Sequence, residues 1–551
     1  MSDFTKVFAA AMAAAIAVGA SAADFTSGVL LLNEGNYGTP GSVCHLSSEG
    51  VWTDRAFAAA NGETTLGNTG SFAQIYGDNI YLVSKQANGT GAILTKADAA
   101  TLVMKASTSE IGFGTGAQGR AFLAVDTQKG YLGTTKGVAV VRLDDLSVLG
   151  TIEGILNETG KEVECGNMVR LNDRVFIATK SPFIYVVDPA TDAIVQTLNI
   201  AEITGNEKAK AASFVVASDG SMWASVAANA NGGTLPFLVK ITQSDTDASQ
   251  IETAVINIPE EIYAPANSWY TWTPDAFCAS PVAPVLYWNG GASSFASNKM
   301  LFSYDIESGE FSKFYEFAED QFLYGSAMRV NPVGGDIYLV YNTGKNAYTN
   351  ASTMARLNAS GEVVATYPMN EEYWFPTLPL FPDNAAPVAA TFEKPFAVDT
   401  DQPQTVIDLK GVATDADSHN ALMVKSLQEN PNPELGEMEV KHGMLTVRPT
   451  SGAKGNGIAN IKVNSNGKEI VVALPLAFTS TSGVEDVAAG EVSTAAYRES
   501  ASAIRLLGSG SANVYTLSGA LVADEIVDGE AVVEVPATPV IVRFGGKSFK
   551  L

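Results

Sequence analysis

One pattern of strands and turns recurs six times along this chain, and that recurrence limits the fold more than any other feature. Each unit opens with an apolar strand and a turn carrying Asp, Asn or Gly. A strand of the type Ile/Val-Tyr/Phe-Leu/Ile-Val/Ala follows, then a variable loop, a third strand ending in an Asp-containing turn, and a last alternating strand. The units are Ser71–Ile111, Arg120–Gly154, Gly166–Ile200, Ala212–Ile258, Asp275–Ala318 and Gly325–Met369. Their second strands include Ile80-Tyr81-Leu82-Val83, Val175-Phe176-Ile177-Ala178 and Ile337-Tyr338-Leu339-Val340. Four short strands in about 35–45 residues are the signature of a β-propeller blade. A seventh unit is split. Gly28–Leu32 reads as a second strand with nothing before it, and Ser42–Leu46 and Val51–Phe57 read as its third and fourth strands. The missing first strand is expected at Tyr373–Phe381. Pairing the two chain ends in this way removes the exposed edge that would invite aggregation. Seven blades are therefore predicted.

At Pro382-Asp383-Asn384-Ala385-Ala386-Pro387 the register changes, and Pro with polar residues marks a linker. Residues 386–478 show short alternating strands and predict a small β-sandwich; 484–551, beyond a Ser/Thr-rich spacer, is a second strand-rich module. The fold class expected is all-β: a seven-bladed β-propeller over 24–383 followed by two small β-sandwich modules. At the other end, Lys6, the apolar stretch Val7–Val18 and the small residues Ala20-Ser21-Ala22 form an export signal over 1–22. Secretion or display at the cell surface is the localisation this implies.

The formal net charge of −25 repels phosphate backbones and anionic lipid, so nucleic acid is excluded as the expected partner. Three widely spaced cysteines, Cys44, Cys165 and Cys278, form neither a disulfide framework nor a metal-ligand set and read as buried thiols. With three histidines, no Gly-rich phosphate loop and no nucleophile elbow, the chain reads as a binding protein rather than an enzyme, with no cofactor expected. Aromatic and Asn side chains gather instead on one face. In a four-stranded blade, the second-to-third loop and the link to the next blade emerge at the same end. Asn33, Asn36 and Tyr37, Trp269 and Trp272, Trp288 and Asn289, and Trp374 all fall there. Rings that stack beside amides that hydrogen-bond suit a flat or glycan-like small molecule. The same rings could equally wedge blades together. A scaffold or adhesion role, with the rim gripping other proteins, is the alternative.

Leu32-Asn33-Glu34-Gly35-Asn36, Leu66-Gly67-Asn68, Trp272-Thr273-Pro274-Asp275, Arg329-Val330-Asn331-Pro332 and Tyr373-Trp374-Phe375-Pro376 resemble bacterial cell-surface propellers with Tyr-Val-Thr-Asn-type repeats. That group includes surface proteins that capture vitamin B12 above an outer-membrane transporter. The resemblance implies a corrinoid-like ligand and a transporter or surface protein as partner, although this chain lacks their lipidated Cys. Asn384-Ala385-Ala386-Pro387-Val388 and Val412-Ala413-Thr414-Asp415-Ala416-Asp417 are similar to cadherin-like or immunoglobulin-like modules. Asp415 and Asp417 could ligate Ca²⁺, since hard cations seek clustered carboxylates, or could simply be solvated in a polar turn. Asn513–Val522 and the basic end Gly545–Lys550 resemble the C-terminal sorting domain of type IX secretion, which implies that machinery as a partner. The Gly-x-Tyr usual before the last strand is replaced by Thr538-Pro539.

Overall fold

The computed structural model describes residues 24–228, 234–244, 250–265, 277–290, 299–344, 351–480 and 494–551. The export segment 1–22 and the predicted rings Trp269 and Trp272 lie outside these described residues. Within them seven antiparallel four-stranded sheets are the blades of a β-propeller. Blade one is the split one. Pro376–Leu380 lies antiparallel on Val29–Asn33, with Leu380 opposite Leu30 and Leu378 opposite Leu32. Blades two to seven then follow in chain order, beginning at Asn68, Gly119, Cys165, Lys210, Phe277 and Gln321.

Side chains alternate between the two faces of a strand, and each blade is flanked by two others. Inner strands are therefore apolar on both faces. The core sits between adjacent blades: Phe214, Met222 and Val239 of blade five pack with Phe176, Ile184 and Val186 of blade four. Trp223 and Leu238 meet Phe277, Trp288 and Phe302 across the next contact. The three cysteines are free and buried in these layers. In six blades the innermost strand carries a register shift near its start, as at Gly70/Phe72, Gly119/Ala121 and Cys165/Met168. Such bulges re-aim side chains at the end of a strand.

One expected strand is shortened. Val51–Phe57 contains only Trp52–Thr53 as strand, and Ala56–Ala60 turns into a short helix after Arg55, whose φ is +46°. The run Ala-Phe-Ala-Ala-Ala favours helix over strand, which accounts for the difference.

By contact density the chain divides into two units: residues 1–396, 405–448 and 456–477 form the first, and 397–404, 449–455 and 478–551 the second. The region expected as one sandwich is thus shared between them. In the first unit Thr405–Asp408 pairs with Met444–Val447, and Val424–Glu429 with Asn460–Asn464. These strands dock on the turns between first and second strands of the blades. His442 N donates to Asp173 Oδ1 at 3.0 Å, Asn464 Nδ2 to the Tyr76 hydroxyl at 3.3 Å, and Gly77 N to the Asn466 carbonyl at 2.7 Å. The second unit has its own core of Ile504, Leu506, Val514, Val527, Val533, Val542 and Phe544, built on the long hairpin Ala503–Thr516 with Leu521–Glu534. No helix among the described residues is long and apolar enough to cross a membrane.

A candidate binding mouth on the propeller

The second strands of the blades end at one mouth of the channel, the end away from the turns that hold residues 405–448 and 456–477. Apolar strand residues give way there to polar ones. Asn33, Lys85, Thr134, Thr179, Asn289 and Asn342 are all buried at those ends. The loop after Asn33 is tied down by backbone contacts: Glu34 N donates to the Phe375 carbonyl at 2.9 Å and Gly35 N to the Trp374 carbonyl at 3.1 Å.

This loop raises Tyr37 into solvent, 60% exposed. Its hydroxyl accepts from Gln86 Nε2 at 2.9 Å and Gln118 Nε2 at 3.3 Å, so the ring is fixed over the mouth by residues of two neighbouring blades. Asn36 Oδ1 accepts the Tyr37 backbone N–H at 2.8 Å and shapes the turn beneath it. Under the ring runs a line of charge. Lys85 Nζ meets Glu34 Oε1 at 2.6 Å, both side chains buried. Arg120 donates from both terminal nitrogens to Gln118 Oε1 and from Nε to Glu164 Oε1 at 2.6 Å. Lys180 closes the line, 3.6 Å from the second oxygen of Glu164 and partly open to solvent. Burial of these groups is tolerated because each charge has an opposite partner and further hydrogen bonds.

The predicted residues divide by place. Asn36 and Tyr37 are exposed at the mouth, and Trp374 is half-buried beside them against Phe375. Asn33 and Asn289 are buried. Asn33 Nδ2 donates to Ser42 Oγ and Cys44 Sγ, and Asn289 Nδ2 to the Leu323 carbonyl, while the side-chain oxygen of each has no hydrogen-bond partner among the described residues. Trp288 corrects the sequence reading: it is fully buried, its Nε1 donates to the Tyr263 carbonyl at 2.8 Å, and its ring lies among Phe277, Phe302 and Phe311. Position along a strand fixes height in the blade, not exposure, and a neighbouring blade covers this face. Trp288 is a wedge and makes no part of an open surface. The ionisable groups Glu34, Lys85, Arg120, Glu164 and Lys180 were missed. Their signal was a charge set in an apolar strand or its edge, as in Leu82-Val83-Ser84-Lys85 and Val163-Glu164-Cys165.

Asp415 and Asp417 meet a third carboxylate, Asp383 of the linker, all within 4.8 Å of one another. Asp383 is held by Lys468 and accepts from Asn466 and Ser418. Asp417 Oδ2 takes the backbone N–H groups of Asn384 and Ala385. Asp415 Oδ2, Asp417 Oδ1 and Ser465 Oγ are buried close together with no hydrogen bond of full geometry among the described residues. Burial, then the side-chain hydrogen bond with Asp417 and the neighbouring charge of Asp383, push the Asp415 carboxyl above the ordinary carboxylate range. The trio can hold one positive charge, a proton or a small cation, between Asp415 and Asp417.

Residues 27–382 match the model of a protein family described as a domain of unknown function, DUF5074. No curated protein matches the chain. Among solved structures it is similar to a quinonprotein alcohol dehydrogenase-like protein of Bacteroides thetaiotaomicron, at 16% identity over 65% of this chain and 79% of that one, with a TM-score of 0.46. It is also similar to BamB of Moraxella catarrhalis, at 12% identity over 78% of this chain and 97% of that one, with a TM-score of 0.35.

Proposed function

We propose, for a chain that belongs to the DUF5074 family, a binding role in which the propeller captures a small molecule with a flat ring and polar edges, a glycan or a corrinoid-like compound, at the Tyr37 mouth. The observation that carries this is the Tyr37 ring, exposed and clamped by Gln86 and Gln118 above the Glu34–Lys85 and Arg120–Glu164–Lys180 groups. An oriented ring contributes about 0.5–1.5 kcal/mol by stacking beyond the area it buries. Lys180 and the two glutamines supply hydrogen bonds to a polar edge. Half-buried Trp374 offers a second ring surface.

The role also includes export. The N-terminal signal directs the chain out of the cytoplasm, and residues 484–551 deliver it to the cell surface through type IX secretion, where a transporter or surface protein receives the ligand. A thermal-shift screen against corrinoids, haem and neutral oligosaccharides tests the ligand class. At least one class is expected to raise the melting temperature, and Tyr37→Ala to abolish most of that rise. A screen with no shift, or a shift that survives Tyr37→Ala, overturns the assignment.

A further inference from the structure

At the opposite end of the channel from Tyr37 lies a cavity of about 430 Å³. That volume is within the range of small-molecule sites, roughly 300–1,000 Å³. Its wall is the innermost strand of six blades together with residues 417–424 and 464–466 of the first unit. Phe72, Phe122, Leu123, Met168, Leu380 and Phe381 make it mainly apolar.

Into this apolar wall is set Arg170. Its Nε donates to the Asn172 carbonyl at 2.8 Å and its Nη1 to the Val125 carbonyl. Both acceptors are neutral. A guanidinium has five N–H donors, so three have no acceptor among the described residues, and no carboxylate there hydrogen-bonds to it. Asp126 and Asp173 attract it from beyond ion-pair distance. Asp126 caps the backbone of Gln128 and Lys129, and Asp173 holds His442. Of the two acids lining the cavity, Asp383 is paired with Lys468, and Asp417 accepts the Asn384 and Ala385 N–H groups. A second guanidinium, Arg329, also lines the cavity. Arg329 donates to the Met328 carbonyl, so Arg170 is the guanidinium that makes this mainly apolar wall a local site for negative charge. Arg170 is half-buried there, and burial lowers its pKa. A charge so placed is stabilised by an anion more than by neutral carbonyls.

We propose that this cavity is a second binding site, separate from the Tyr37 mouth, for an apolar molecule ending in one anionic group, with its hydrocarbon or ring body against Phe72, Phe122 and Met168 and its carboxylate or sulfonate on Arg170.

Calorimetric titration of the full chain with decanoate, and with decanamide as the uncharged counterpart, tests it. Decanoate is expected to bind at one site and more tightly than decanamide. Arg170→Gln should weaken decanoate about tenfold to a hundredfold, the worth of a charge-assisted hydrogen bond, and leave decanamide unchanged. Met168→Trp, which fills the cavity, should remove both. If Arg170→Gln fails to fold, Arg170→Lys keeps the charge but not the fork and is expected to retain a weakened preference for decanoate over decanamide. Absence of decanoate binding, equal affinity for the two compounds, or decanoate affinity unchanged in Met168→Trp overturns the proposal.

Discussion

Lys85 and Glu34 show what a charge costs inside this propeller. Each is almost fully buried, and they meet at 2.6 Å across the boundary between blades one and two. Removing one partner strands the other. Lys85→Met is expected to destabilise the fold by about 3–5 kcal/mol, and Glu34→Leu combined with Lys85→Met to recover most of that loss. Denaturant unfolding of both variants checks this; equal losses in the single and double variants would mean that the pair is not the source of the cost. His45 is a second buried polar group. Its Nε2 lies 2.6 Å from the Ser27 carbonyl, which can only accept, so that nitrogen carries the proton, and the ring packs edge-on against Phe25. Burial holds its pKa below the ordinary 6.5. Above pH 6.5 neither the folded nor the unfolded state takes up a proton there. Below it the unfolded chain does so first, so stability falls as pH drops toward the depressed folded value. His45→Gln is expected to flatten the melting temperature between pH 7 and 5; an unchanged slope would exclude His45 as the cause.

At the scale of elements, what could be read in advance followed from periodicity. Ile80-Tyr81-Leu82-Val83 and its repeats are apolar at successive positions because both faces of an inner strand are covered by other blades. The closing strand was legible because Val29–Asn33 reads as a second strand without a first strand ahead of it. The mouth was less legible. Trp288 was assigned to an open face from its place at a strand end, and a neighbouring blade covers it. The partners of Lys85 and Arg120 lie 51 and 44 residues away, across blade boundaries, so no local pattern joined them. Buried as it is, Trp288→Ala is expected to cost about 3–5 kcal/mol by opening a cavity between blades five and six. A loss under 1 kcal/mol in equilibrium unfolding would show that the site collapses or that the ring is not packed there. Gly91 illustrates how tightly the loop beside the mouth is fitted: a Cβ on it would sit 2.1 Å from the Leu66 carbonyl carbon and oxygen. Backbone cannot retreat as a flexible side chain can.

For the whole molecule, closure of the ring by Pro376–Leu380 is what makes a channel with two distinct ends. One end carries Tyr37 over paired charges, and the other carries the cavity with Arg170. Binding at the first is the central claim. Hydrogen–deuterium exchange with and without the strongest ligand from the thermal-shift screen tests it most directly, because it reports where on the chain the ligand slows backbone opening. The predicted result is added protection in residues 34–41, 84–93 and 109–120, the segments that hold Tyr37, Gln86 and Gln118. Protection confined to other blades or to residues 405–551, with those three segments unchanged, would contradict it.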